Sequence, residues 1–454
     1  MNLKTMKLKK AGGTSLVLKK KLLLFFIIFL FFISKNSIGN IVNDYEIESL
    51  LKEMVQPLFD ISNISNKESE LVILLDNNPN AFVDASNRIF ITTGLILFSD
   101  YPEGIAGIIA HEIGHIKLLH VNKRTSKIKE EKATQAITNI LSLSASLLSN
   151  NPSIFTGTSI ASQEMLQSNL SHFSKDQERE ADILGLDYLE KINISSLGLR
   201  SVLVKLIAVA EKMGIKEENL KLYTHPYKTE RIELIDKLSK SSNHNNSYYN
   251  KEVQKKYKFI QAKISGYTLN LEDNQLRYNK NLNDHGKYAL SISYARKGYM
   301  EESLKFINEI IKKYPKNPFF YETKGEILLN FGYSYEAIKF FNKSLIIQNS
   351  NDYLRIKLII LLSNEIEKNA NKIITEFNKL EIDTWKNNKL LSIIAKAHET
   401  VSKTNEMFLY LALIEINNNN FDLAKEYLAF VKNNTTNNDT INKIEKIKKN
   451  LLND

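Results

Sequence analysis

Residues 111–115 read His-Glu-Ile-Gly-His, inside a stretch whose apolar residues recur every three or four positions. On an α-helix His111 and His115 stand one turn apart on the same face, where two imidazoles can reach a single metal ion with Glu112 alongside. Two nitrogen ligands next to a carboxylate able to take a proton from water are the working parts of a zinc hydrolase. The stretch predicts a helix from Pro102, a residue suited to a first helical turn, to about Leu119. Ile105, Ile108, Ile109, Ile113 and Ile116 form its apolar face, and the histidines fall at the margin of that face. A glutamate among isoleucines is costly to bury without a charged neighbour or a role in proton transfer.

A catalytic zinc ion usually takes three protein ligands and leaves a fourth position for water. The chain has no cysteine, so the third ligand must offer nitrogen or oxygen. His120 lies five residues past His115, about 140° around a continuing helix, and reads as a helix-end residue. His172, His244, His285 and His398 read as surface or packing residues. The acidic run Asp176-Gln177-Glu178-Arg179-Glu180-Ala181-Asp182 opens a second helix that continues through Leu184, Gly185 and Tyr188. There Glu178 and Asp182 share a face with Ala181 and Gly185, small residues that let two helices approach closely. Spacing alone leaves both Glu178 and Glu180 open as the ligand.

Around these motifs the pattern is α+β. An amphipathic stretch covers Tyr45 to Phe59. Short apolar runs at Leu71–Leu75, Ala81–Val83 and Arg88–Ile91 predict three strands before the motif helix, and helical sequence then runs to Lys240. Ser241 to Ser247 reads as a polar linker. From about Asp284 the chain repeats at 34 residues, pairing Gly298 with Gly332, Ser303 with Ala337 and Phe306 with Phe340, with Pro315 closing the first unit. That is the tetratricopeptide period, in which small residues sit where two helices touch. The repeats are eroded after Ser350; Ala412, Phe421, Ala424 and Tyr427 suggest one more helix pair. The expected organisation is a signal peptide over 1–39, a peptidase domain over 40–240, a linker and connecting helix over 241–283, and a tetratricopeptide-like all-α domain over 284–454.

The first 39 residues carry a basic stretch, an apolar run from Leu22 to Ile33 and small residues before Gly39, the order of a secretory signal. Their eight lysines and no acid account for most of the formal charge, which falls from +10 to +2 without them. The mature chain then has no basic patch interleaved with aromatics to suit nucleic acid, and no stable transmembrane span.

From about Asn80 to Arg231 the chain resembles the zinc peptidases that include the CAAX prenyl protease and the heat-shock membrane protease HtpX, most closely their exported BepA-like (YfgC) members. The resemblance is carried in order by Asn80-Ala81-Phe82, Gly94-Leu95-Ile96, the His111–His115 helix, Glu178-Arg179-Glu180-Ala181-Asp182, and His225-Pro226 followed by Arg231. It implies a gluzincin-type fold, mostly helical with a small sheet, and one Zn2+ per chain held by His111, His115 and Glu178. Asp182 would support the site and Glu112 would be the general base. His225 would stabilise an oxyanion or act as a transient fourth ligand, with Arg231 as its support, and the Asn80-Ala81-Phe82 strand would bind an extended substrate by backbone pairing. The tetratricopeptide-like half fits the same resemblance.

The expectation is an exported, periplasmic zinc endopeptidase degrading misfolded or misassembled envelope proteins, with outer-membrane β-barrel assembly machinery as the partner the resemblance implies. The alternatives are a repeat-based chaperone or scaffold with latent protease activity, and a zinc amidase or aminopeptidase.

Overall fold

A computed structural model describes residues 41–64, 70–84, 86–120, 173–212, 229–278, 282–382 and 384–448. The signal-like segment and His225 lie outside them. The fold is α+β and mostly helical. Helix α1 (Tyr45–Ser62) starts where the Asp44 side chain accepts from the Ile47 N–H at 3.1 Å, and it stops at Asn63 in a left-handed conformation, φ 50°. A three-stranded sheet follows, β1 (Leu71–Leu74), β2 (Ala81–Val83) and β3 (Ile89–Thr92), in the order β1-β3-β2, with β1 parallel and β2 antiparallel to β3. Alternation along the strands sends Ile73, Ala81, Val83, Ile89 and Ile91 into the main core and Val72, Leu74 and Phe90 to a smaller cluster behind the sheet.

Strand β3 runs directly into helix α2 (Thr93–Phe98), capped by the Thr92 hydroxyl, and Pro102 then begins helix α3 (Pro102–Lys117). Sequence periodicity predicts one buried face for α3, yet every residue from Pro102 to Ile116 is buried. The positions between the isoleucines hold Gly104, Ala106, Gly107, Ala110 and Gly114, so neighbouring elements close over the whole circumference. The neighbours are α1, β2 and the helices α4 (Lys175–Lys191) and α5 (Leu197–Lys212). Both α4 and α5 come within backbone contact of α3. A Cβ at Gly114 would lie 2.8 Å from the Ala181 carbonyl oxygen, and one at Gly185 would lie 3.0 Å from the His111 nitrogen. Gly114→Val should therefore force α3 and α4 apart. We expect a loss of about 1–3 kcal/mol by overpacking, read by thermal unfolding. An unchanged midpoint would show that the spacing of these helices does not matter.

Helix α6 (Thr229–Ser239) contributes Arg231 and Ile235 to the interior. Helix α7 (Lys251–Thr268) lies within the span that the sequence reads as linker and connecting helix. It places Val253, Tyr257, Ile260 and Ile264 in the core of the first half and Phe259 and Ala262 in the first core of the second. The Tyr257 hydroxyl and the Gln261 amide both donate to the Ile96 and Ser99 carbonyls, capping the C-terminal end of α2 beside the start of α3.

The second half is an array of helices: α8 (Leu271–Tyr278), α9 (Asp284–Lys297), α10 (Met300–Lys313), α11 (Pro318–Asn330), α12 (Ser334–Ile347), α13 (Asp352–Leu362), α14 (Ile366–Phe377), α15 (Asn388–Thr400), α16 (Thr404–Asn417), α17 (Phe421–Asn434) and α18 (Asn438–Ile447). The 34-residue offset is visible as structure. Gly298 and Gly332 take φ of 89° and 85° at matching turns, and Ser303 and Ala337 are buried at matching helix contacts. The fully buried positions one residue on are Ile307 and Phe341, whereas Phe306 and Phe340 are half-buried.

The array is fastened to the first half by a buried ionic joint. Lys263 Nζ lies 2.7 Å from Asp44 Oδ2 and 3.1 Å from Glu46 Oε2. The Tyr288 hydroxyl reaches Glu46 at 3.3 Å, and Tyr353 donates to Glu48 at 3.0 Å. Among the described residues no helix is long and apolar enough to cross a membrane.

Candidate metal centre

Helix α3 presents His111 and His115 toward α4, with their Nε2 atoms 3.1 Å apart. The capping box formed by Ser174 and Gln177 fixes the first turn of α4 and turns Glu178 inward. Glu178 Oε2 lies 3.5 Å from His111 Nε2, and Oε1 lies 3.5 Å from His115 Nε2. All three side chains are buried, and among the described residues they form the one cluster of possible metal ligands, with donor atoms all within 4.8 Å of one another. Tetrahedral zinc with bonds of roughly 2.0–2.1 Å sets its donors about 3.3 Å apart. The observed spacings suit such an ion, and the donor set of two imidazoles and one carboxylate suits zinc chemically.

Behind His111 stands a carboxylate–guanidinium pair. His111 Nδ1 is 2.8 Å from Asp182 Oδ1, so an ionised Asp182 accepts the ring hydrogen there and leaves a lone pair on Nε2. Arg231 donates to both Asp182 oxygens at 2.7 Å, and its Nη1 is 3.1 Å from Glu178 Oε2. Burial by itself pushes the Asp182 carboxyl up, but the Arg231 guanidinium and the His111 ring reverse this and hold it at about 2. Asp182 is therefore an anion at neutral pH. Arg231, supplied by α6, ties the carboxylates at both ends of one turn of α4.

Glu112 is buried beside His111. It lines a small space of about 10 Å3, near the room one water needs, shared with Ala81, Leu95, Ile108, Leu203 and Arg231 among the described residues. Ala81 thus borders this space, whereas Phe82 stacks on Phe90 behind the sheet at 4.9 Å. Asn80 holds the start of β2 through its N–H to the Thr92 hydroxyl, 2.9 Å, and its carbonyl to the Thr92 N–H, 3.0 Å. Within the described residues β2 is one of the two edge strands of the sheet; the other, β1, carries a bridge to Ile41. The structure thus brings together His111, Glu112, His115, Glu178, Asp182 and Arg231, with Ala81 at the edge.

His120, which the sequence places at a helix end and away from the ion, packs against the centre. His120 is 1 % exposed, and its Nδ1 lies 3.0 Å from His115 Nδ1. Its Nε2 lies 3.1 Å from Glu180 Oε2. The rotation argument assumed a continuing helix, but α3 ends at Lys117 and Leu119 takes a left-handed φ of 54°, which folds His120 back. Nothing in the residue types around Leu119 signals that turn.

Residues 45–239 match the profile of peptidase family M48. The M48 segment thus contains all of α1 to α6 and the whole metal centre, and the helical array lies beyond it. Over 196 residues the chain is 24% identical to the mitochondrial metalloendopeptidase OMA1 of Schizosaccharomyces pombe, covering 41% of this chain and 51% of that protein. It is 24% identical over 194 residues to a putative β-barrel assembly-enhancing protease of Vibrio cholerae, covering 42% and 39% respectively. A longer match, 21% identical over 313 residues, covers 66% of this chain and 61% of the β-barrel assembly-enhancing protease of Escherichia coli strain K12, and so extends beyond the M48 segment. The chain spans about half the length of these curated relatives.

Proposed function

We propose that this chain is a zinc-dependent endopeptidase acting on misfolded or misassembled envelope proteins. The observation that carries the reading is the convergence of His111, His115 and Glu178 with Glu112 buried beside them. His111, His115 and Glu178 would hold the metal. When bound, zinc supplies Lewis acidity that polarises a peptide carbonyl and makes water acidic enough to ionise near neutrality. Glu112 takes the proton from the attacking water and returns it to the leaving amine. Asp182, ionised and braced by Arg231, keeps His111 in one tautomer and orientation. The edge strand β2, from Asn80 through Ala81 to Phe82, offers backbone groups to an extended substrate. His225 completes the proposal as an oxyanion stabiliser.

The proposal includes export by residues 1–39, a peptidase domain over 40–240, a connecting segment over 241–283 and a tetratricopeptide-like domain over 284–454. The signal-like segment supports a periplasmic setting, and the names of the bacterial relatives support β-barrel assembly as the process served through the helical array. Metal content and casein cleavage of purified residues 40–454 test the reading. We expect one zinc per chain and internal cuts that cease with a chelator and return with zinc. Metal-free protein that cleaves at the full rate would overturn it, and trimming from chain ends would replace it with an exopeptidase.

A further inference from the structure

We propose that His120 and Glu180 are positioning residues that set the tautomer of His115, so that a short hydrogen-bonded relay running out to the surface fixes the nitrogen offered to the metal. The inference rests on the reading of His111, His115 and Glu178 as zinc ligands.

With His115 Nε2 reserved for the metal, the distances fit one arrangement of hydrogens on neutral rings. His115 Nε2 faces His111 Nε2 at 3.1 Å and Glu178 Oε1 at 3.5 Å, so Nε2 is the nitrogen turned toward the metal position and must carry a lone pair. A neutral imidazole with a bare Nε2 has its hydrogen on Nδ1. That Nδ1 is 3.0 Å from His120 Nδ1, and two such nitrogens bond only if one donates and the other accepts. His120 therefore accepts at Nδ1 and holds its own hydrogen at Nε2, which is 3.1 Å from the acceptor Glu180 Oε2. Run backward, the chain would place a hydrogen on His115 Nε2, where the metal belongs, and would set a bare His120 nitrogen against a carboxylate. The Glu180 carboxylate thus biases the relay in the direction that metal binding needs.

The local build favours this geometry. Leu119 at φ 54° is an unusual conformation for a branched apolar residue, held by its N–H donating to the Ile116 carbonyl at 3.0 Å, and its effect is to bury His120 against His115. Phe173 stacks on the His115 ring at 3.9 Å between centroids and holds its plane. Each histidine of the motif then has a carboxylate behind it. His111 meets the buried Asp182 directly, and His115 meets Glu180, whose side chain is 60 % exposed, through His120.

Zinc affinity of the full chain, measured by competition with a chromophoric chelator, together with the visible spectrum of the cobalt-substituted protein, tests the relay. His120→Leu is expected to weaken zinc binding 10–100-fold and to alter the cobalt spectrum. His120→Asn, whose side-chain oxygen can accept from His115 Nδ1, should recover most of the loss. Glu180→Leu, at an exposed position where folding is not at stake, should weaken zinc several-fold, and Glu180→Gln, which keeps an acceptor, should change it less. Wild-type affinity in folded His120→Leu or in Glu180→Leu overturns the proposal. His111→Ala separates the two levels of argument. If it binds zinc like the wild type, the ligand assignment itself fails; if it loses zinc while Glu180→Leu does not, only the relay fails.

Discussion

Glu112→Gln is expected to slow peptide-bond cleavage by about 10²–10⁴-fold while the protein still binds one zinc ion. The substitution keeps the volume and planarity of a side chain that is 1 % exposed and removes only its ability to take a proton. Glu112 adjoins the ligand pair without belonging to the convergent donor set, so metal affinity should stay close to that of the wild type. Casein turnover and metal content, measured on one preparation, decide the matter. A variant that degrades casein at the native rate with zinc in place would remove Glu112 from the chemistry. Loss of zinc alongside activity would instead make the residue part of the metal's support.

The second large effect lies far from the site. Lys263→Met should cost about 3–5 kcal/mol, because it leaves the buried Glu46 beside the part-buried Asp44 without their cation. Burial would strip the proton from Lys263, yet the two carboxylates hold its pKa well above that of an ordinary lysine, so the charge being removed is a full one. A fall in the thermal midpoint of the order of 10 °C is expected. Replacing Asp44 by Asn and Glu46 by Gln in the same chain should restore much of it, because the loss comes from stranded charge more than from missing contacts. An unchanged midpoint in Lys263→Met would mean that water reaches the joint.

Much of the motif geometry could be read before any coordinates. Short apolar runs gave the places of β1, β2 and β3. The four-residue step from His111 to His115 is a property of any α-helix, so their convergence needed no tertiary information. Spacing alone leaves Glu178 and Glu180 open and the resemblance points to Glu178; which of them turns inward depends on how α4 crosses α3, with Gly114 against Ala181 and Gly185 against His111. The resemblance implies Arg231 as a support of His225, and nothing in the residues around it signals its pairing with Asp182 and Glu178. Its importance comes from α6 delivering one guanidinium to two carboxylates a helical turn apart. His120 was misread because a single left-handed residue ended the helix on which the rotation had been reckoned. The sequence predicts a connecting helix within 241–283, and α7 is that helix; what the pattern does not reveal is that Val253, Tyr257, Ile260 and Ile264 enter one core while Phe259 and Ala262 enter another.

Helix α7 has two dry sides, one serving the M48 segment and the other the first hairpin of the array. An axle clamped along its length in both wheels does not let either turn. Swinging the array as a unit would peel Val253 and Tyr257 from one seat or Phe259 and Ala262 from the other, exposing oily surface for every degree of rotation. On the proposed reading, the motion that admits a polypeptide to His111, His115 and Glu178 comes from within the half that carries α3 and α4, and the first hairpin beyond α7 travels with it as fixed freight.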